Sequence, residues 1–249
     1  MLPIIFFFGN LHSYTSVKGI PDFLVLGITK CGTSSLYQDM IQHPKILGAK
    51  KKELHFFDND TRYAKNGIAW YVEQFPHKNT ENDLIGEASP GYFWKQKCLR
   101  RIIQHCPRTK FIVSLRNPIK RVISEYFRRK RRGEEKLPFD QAIRQPQKFE
   151  YYLGAGCYSE HLKRWFSCVP RNQIHLMFLE DMATDPKLEM NKVFKFLGLQ
   201  KHTLHSYKHK KKANYNLAEI SPQTIEKLKR FYEPFNRELE KMLGRKLPW

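Results

Sequence analysis

Acidic residues are scarce in this chain of 249 residues: 24 Asp and Glu stand against 44 Lys and Arg, giving a net charge of +20 and an isoelectric point near 9.8. The field around such a molecule attracts polyanions, so nucleic acid, anionic membrane and sulfated polysaccharide all qualify as partners. Long apolar runs are missing at the start, where Leu2 to Phe8 is too short to span a bilayer and has neither a basic flank nor a small-residue cleavage site. Residues 1–20 read as the remnant of a removed anchor or stem. The five cysteines, Cys31, Cys98, Cys106, Cys157 and Cys168, lack metal-ligand spacing, and their odd number leaves at least one unpaired within the chain. No internal repeat and no Pro/Gly/Ser linker divides the sequence, which points to one domain over residues 21–249.

What is present is a globular pattern, 41% apolar and 14% aromatic, in which short apolar runs alternate with helical stretches as in βαβ units. The expected fold is α/β, P-loop-like and three-layered, with a central, mainly parallel sheet flanked by helices. Strands are expected at Phe23 to Gly27, Leu84 to Glu87, Phe111 to Leu115 and Ile174 to Leu179. A helix after Asn117-Pro118 carries Ile119, Val122, Ile123, Tyr126 and Phe127 on one face. Asp185-Pro186 opens another, with Leu188, Val193, Phe194 and Leu197 inside and Gly198 closing it. A last helix follows Ser221-Pro222, with a bend expected at Pro234. Basic residues gather at Lys50 to Lys52, Arg128 to Arg132 and Lys208 to Lys212, and each run taken alone also fits a solvated face.

The segment from Pro21 to Leu36 reads as a strand, a tight loop and the first turn of a helix running to about His43. Gly27 and Gly32 have the separation of the two P-loop glycines, and Thr33, Ser34 and Ser35 set hydroxyls beside the free N–H groups of the helix start. The lysine is displaced, however: Lys30 precedes the second glycine and Thr33 takes the lysine's usual place. No Asp-rich strand end supplies a magnesium ligand, which weakens a γ-phosphate transfer reading. Taken alone, the segment also fits a polar βα turn with a capping serine. At a second junction the strand Phe111 to Leu115 ends in Arg116, followed by a helix with Ser124, so a guanidinium suited to bidentate phosphate recognition lies near a hydroxyl.

Between these junctions lies Lys52-Glu-Leu-His-Phe-Phe-Asp58. In an extended chain the two-residue period places Glu53 and His55 on one face, with Asp58 near the following turn, so a base and an orienting partner can converge. The competing readings are a surface ion pair of Glu53 with Lys51 or Lys52, and a packed histidine beside Phe56 and Phe57.

Three stretches in order, Lys30-Cys-Gly-Thr-Ser-Ser35, Lys52 to Asp58 and Arg116-Asn-Pro-Ile-Lys-Arg-Val-Ile-Ser-Glu-Tyr126, resemble the signatures of sulfotransferases that use 3′-phosphoadenosine 5′-phosphosulfate (PAPS), above all the glycosaminoglycan enzymes. Gly156 to Leu162, Phe231 to Asn236 and the terminal Trp249 extend the likeness over nearly the whole chain from Pro21. The resemblance implies that Lys30, Cys31, Gly32, Thr33, Ser34 and Ser35 hold the 5′-phosphosulfate, that Arg116 and Ser124 hold the 3′-phosphate, and that Tyr158 lines the nucleotide site. It implies a basic closing loop at Lys208 to Asn216, with Lys211 and Lys212 on phosphate, although the cysteine-bracketed form of that loop is absent. By similarity to heparan sulfate 3-O-sulfotransferases, Glu53 is the base, His55 and Asp58 assist or contact acceptor, and Lys30 stabilises the leaving group. An acidic polysaccharide is the implied acceptor, PAPS the donor and PAP the product; no metal, no nucleic acid and no membrane contact by the catalytic part are expected. The family points to the Golgi lumen, and the sequon Asn59-Asp60-Thr61 permits a secretory route.

One departure stands in Gly86-Glu-Ala-Ser-Pro-Gly-Tyr-Phe93, where heparan 3-O enzymes carry a lysine at the position of Ala88. That form is also similar to enzymes sulfating N-acetylgalactosamine 4-sulfate in chondroitin, so the regiochemistry stays open. Competing assignments are a sulfotransferase of small phenols or alcohols, a non-catalytic heparin- or nucleic-acid-binding protein, and a P-loop kinase.

Overall fold

A computed structural model describes residues 18–207 and 215–249. Five strands, β1 (Phe23–Gly27), β2 (Ile46–Gly48), β3 (Leu84–Ala88), β4 (Lys110–Leu115) and β5 (Ile174–Phe178), form one sheet in the order β2-β3-β1-β4-β5, parallel throughout. The α-helices are α1 (Thr33–Met40), α2 (Asp60–Val72), α3 (Gln96–His105), α4 (Pro118–Arg131), α5 (Phe139–Ala142), α6 (Phe149–Tyr152), α7 (Tyr158–Phe166), α8 (Leu179–Thr184), α9 (Pro186–Leu197) and α10 (Pro222–Leu243).

β1 is apolar without interruption because both its faces are covered. Leu24 and Leu26 pack with Leu99 of α3, Leu162 and Trp165 of α7 and Leu239 of α10. Phe23 and Val25 pack on the other face with Leu36 and Met40 of α1 and Val193 and Phe194 of α9. All four are fully buried, each contributing about 1.5–3 kcal/mol of apolar transfer free energy. The three layers follow from this alternation, and the α/β architecture agrees with the expected one. A third cluster forms away from the sheet, where Val122, Ile123, Tyr126 and Phe127 of α4 meet α5, α6 and α10.

The caps follow the sequence closely. Asn117 accepts from the N–H groups of Ile119 and Lys120, both at 3.0 Å, Asp185 accepts from Leu188 at 2.9 Å, and Ser221 accepts from Thr224 at 3.2 Å. Several boundaries differ. α1 ends at Met40 rather than His43, Leu179 begins α8 instead of ending β5, and Pro234 lies inside a helix assigned continuously from Pro222 to Leu243. Leu188, expected inside α9, is 51% exposed, because the buried stripe of α9 runs through Met190, Val193, Phe194 and Leu197.

Strand order fixes where a ligand can enter. The chain leaves β1 through α1 towards β2 on one side of the sheet, then leaves β4 through α4 towards β5 on the other. The connections diverge between two neighbouring strands, which opens a crevice beyond their carboxyl ends.

Candidate active site

The β1–α1 loop lies at that crevice, laced to the end of β4. Ile28 N–H donates to the Ser114 carbonyl at 3.0 Å and Ser114 Oγ donates to the Cys31 carbonyl at 2.5 Å. Gly32 caps α1 with φ 80°, a left-handed conformation that favours glycine, and a Cβ there would lie 2.6 Å from Leu179 Cδ1. No side chain caps this helix, so the first N–H groups of α1 face the crevice without an internal acceptor from a cap. That is an anion-binding arrangement, and the hydroxyls of Thr33, Ser34 and Ser35 sit within the same turn.

The two strand ends meet. Arg116 Nη1 donates to the Lys30 carbonyl at 3.0 Å, which leaves the rest of the guanidinium fork for other acceptors. Burial lowers the Lys30 ammonium below its ordinary value; the Glu125 carboxylate works against this, while Arg128, Arg131 and Arg116 add to it. Glu125 is itself buried, held by Arg128 at 2.5 Å and Arg129 at 2.9 Å. The crevice floor is thus a net cationic basin with one internal carboxylate. Ser124 is 2% exposed and its Oγ lies 2.7 Å from Tyr215 Oη, a ring that stacks on Phe127 with centroids 4.9 Å apart. Lys211 and Lys212 lie outside the described residues.

Tyr158 and Cys31 sit behind the loop rather than on its open face. Both are buried; Tyr158 Oη donates to the Arg116 carbonyl at 2.8 Å and lies 3.8 Å from Cys31 Sγ. Burial pushes the Cys31 thiol up to about 11, which leaves it a packing group and not a nucleophile. Tyr158 braces the two strand ends against each other.

Residues 52–58 pass over the end of β3, Glu53 N–H donating to the Ala88 carbonyl at 3.0 Å. Glu53, His55 and Asp58 converge, though not by an extended backbone. Glu53 has φ 64° and His55 φ 49°, both left-handed, and the two-residue period therefore does not apply. His55 Nε2 lies 3.7 Å from Glu53 Oε2, and His55 Nδ1 lies 3.1 Å from Asp58 Oδ2. Lys52 caps the other side of Glu53, an ion pair on a carboxylate 43% exposed. The neighbouring His55 imidazole, with Lys52 beside it, holds the Glu53 carboxyl down at about 2 against the effect of burial. Asp58 first and Glu53 second raise the His55 imidazole to about 9. Asp58 is held at about 2: burial pushes it up, and His55 and Lys95 outweigh that.

Lys95 went unread in the sequence. Its Nζ sits 2.7 Å from Asp58 Oδ2, so a cation stands beside the carboxylate segment. The only signal was a basic residue seven positions beyond Ala88, which gives no hint of its partner. Electrostatics join the two halves of the site: the charge on Arg128 acts on Lys30 and is itself acted on by Glu53. Among the described residues no cluster of His, Cys, Asp and Glu could hold a metal ion.

The sulfotransferase domain family matches residues 20–239. Mouse heparan sulfate glucosamine 3-O-sulfotransferase 5 is 29% identical over 96% of this chain and 77% of its own length. Human heparan sulfate glucosamine 3-O-sulfotransferase 6 is 30% identical over 93% of this chain and 74% of its own. Among solved structures, a sulfotransferase from Alicyclobacillus acidocaldarius superposes with a TM-score of 0.77 at 26% identity, covering 91% of this chain and 97% of that one.

Proposed function

The chain belongs to the sulfotransferase domain family, and on that premise we propose that it moves a sulfuryl group from PAPS to a hydroxyl of a glycosaminoglycan-like acidic polysaccharide. The observation that carries this reading is the contact between Arg116 and the Lys30 carbonyl beside the uncapped start of α1, which sets two cationic strand ends within reach of one nucleotide with anionic groups at both its 3′ and 5′ ends. The relatives named for glucosamine 3-O-sulfation favour a heparan acceptor over chondroitin. The charge of +20 suits a polyanionic acceptor better than a small phenol.

In this reading the N–H groups and hydroxyls of Lys30 to Ser35 hold the 5′-phosphosulfate, and Arg116 and Ser124 hold the 3′-phosphate. Lys211 and Lys212, which lie outside the described residues, are assigned as further contacts to phosphate. The acceptor hydroxyl attacks sulfur in line; its O–S bond forms as the bond from sulfur to the 5′-phosphate oxygen breaks, and PAP leaves. Glu53, ionised because His55 and Lys52 hold it low, takes the hydroxyl proton. His55 keeps its own proton, pinned between Glu53 and Asp58, and orients the base. Lys30 faces the charge that grows on the departing phosphate, where burial strengthens the interaction. Residues 21–249 act as one catalytic unit. The Golgi lumen is the proposed place of action; no helix among the described residues is long and apolar enough to cross a membrane.

Glu53→Gln tests the assignment. Turnover should fall by about 10²–10⁴-fold, the usual contribution of a general base, while PAP and heparin affinities hold. Unchanged turnover refutes Glu53 as the base. A panel of defined glycans with labelled donor identifies the hydroxyl that accepts the group.

A further inference from the structure

Two left-handed residues separated by one position are costly in an L-peptide, about 1–2 kcal/mol each, and Glu53 and His55 carry side chains the reaction needs. Such a conformation persists only where its surroundings over-determine it. Here the determinants converge on a single carboxylate that the mechanism above does not use. Leu54 N–H donates to Glu87 Oε2 at 3.4 Å. His55 N–H donates to Ser89 Oγ at 3.2 Å, and that hydroxyl donates to Glu87 Oε2 at 2.7 Å. Phe56 N–H donates to Tyr92 Oη at 2.8 Å, and that hydroxyl donates to Glu87 Oε1 at 3.1 Å. Tyr71 Oη, at 2.9 Å from Oε1, completes the set.

Glu87, Ser89, Tyr71 and Tyr92 are all fully buried, and among the described residues no Lys or Arg forms an ion pair with Glu87. The direction of the bonds is forced. Ser89 and Tyr92 each own one hydroxyl proton, and each spends its lone pairs on a backbone N–H, so the proton must go to an acceptor at position 87. A carboxylate offers acceptors on both oxygens; an amide offers one and sets a donor against donors. Burial raises the Glu87 carboxyl, while its four hydrogen bonds favour the ionised form.

We propose that Glu87 is a positioning residue for sulfuryl transfer: directly and through Ser89 and Tyr92 it fixes the backbone of Leu54, His55 and Phe56, and so aims the Glu53 and His55 side chains without touching donor or acceptor. The inference rests on Glu53 being the base, and its test separates the two claims. Glu87→Gln, an isosteric change, lowers kcat on the order of 10²-fold, the cost of misplacing a catalytic group by about 1 Å, and leaves the PAP Kd unchanged. Combined with Glu53→Gln it adds almost no further loss, because both act through one group. Ser89→Ala loses the His55 link and lowers kcat, while Ser89→Thr, which keeps the hydroxyl, restores it. Should Glu87→Gln fail to fold, Ser89→Ala and Tyr92→Phe each cut one link and replace it in the double-mutant comparison. Wild-type kcat in Glu87→Gln, losses that multiply with Glu53→Gln, or a parallel fall in PAP affinity overturns the inference. If Glu53→Gln itself keeps full turnover, the reading of the base fails instead, whatever Glu87→Gln does.

Discussion

The β1–α1 junction presents its reactive groups from the ends of regular elements: a left-handed glycine, the first turn of a helix, and an arginine one residue past the end of β4. Residues 52–58 belong to no helix or strand, and their shape comes from side chains of β3 and the turn after it. The first region inherits its geometry from the sheet, so its anchors are backbone dipoles and cations that tolerate small displacements. The second has no such frame and depends on specific hydroxyls and a buried carboxylate. In the proposed function the rigid half holds the donor and its leaving group, and the individually tethered half takes the proton.

This contrast can be broken by substitutions on either side. The largest effect is expected from Arg116→Ala, which removes a guanidinium that joins the strand ends; PAP affinity measured by calorimetry should fall by about 10²–10³-fold, as when one partner of a buried charge pair is truncated. A small loss there, with kcat reduced instead, would reverse the division of labour between the two halves. Gly32→Ala comes next. Its Cβ meets Leu179 Cδ1 at 2.6 Å and the residue must hold φ 80°, so stability by denaturant unfolding should drop by about 1–3 kcal/mol, with weaker donor binding. A neutral result would show that the loop end is softer than the comparison assumes.

The smallest change at neutral pH is expected from Asp58→Asn, whose signature lies in the pH profile. His55 is raised to about 9, chiefly by Asp58, so the ion pairs it makes are present in full below its unfolded value near 6.5 and are lost as pH rises through 9. Activity that needs the protonated imidazole follows the same limb. Without Asp58 the limb moves down from about 9 towards neutrality, read from kcat against pH; an unmoved limb would assign it to Lys30, whose proton is also loosened by burial.

Much of the rigid half was legible because its causes are local. β1 is five apolar residues between Asp22 and the loop, and Asn117-Pro118 and Asp185-Pro186 announce their helices by capping chemistry. β2 left no pattern, since three residues are too few for a period to register. In the carboxylate segment the convergence of Glu53, His55 and Asp58 was foreseen on the wrong physical ground: an extended chain was expected, and left-handed turns bring the groups together instead. The Lys95–Asp58 and Glu87–Leu54 contacts span 37 and 33 positions, and no rule of spacing reports a pairing at that range. Tyr158 is expected at the nucleotide site from family resemblance alone; no local pattern reports that it is buried and that its hydroxyl donates to the Arg116 carbonyl 42 positions away.

Placing β1 between β3 and β4 has a consequence for how the protein comes into being. The lysine and arginine that face each other across the crevice are 86 positions apart, and neither adjacent strand follows β1 directly in the chain. In the proposed function a growing polypeptide carries no donor cradle until synthesis has passed Arg116, and the nucleotide binds only a molecule whose central strands have already assembled. On that reading, ligand occupancy adds RT ln(1 + [L]/Kd) to the stability of the folded state alone, so the donor stabilises only the finished sheet.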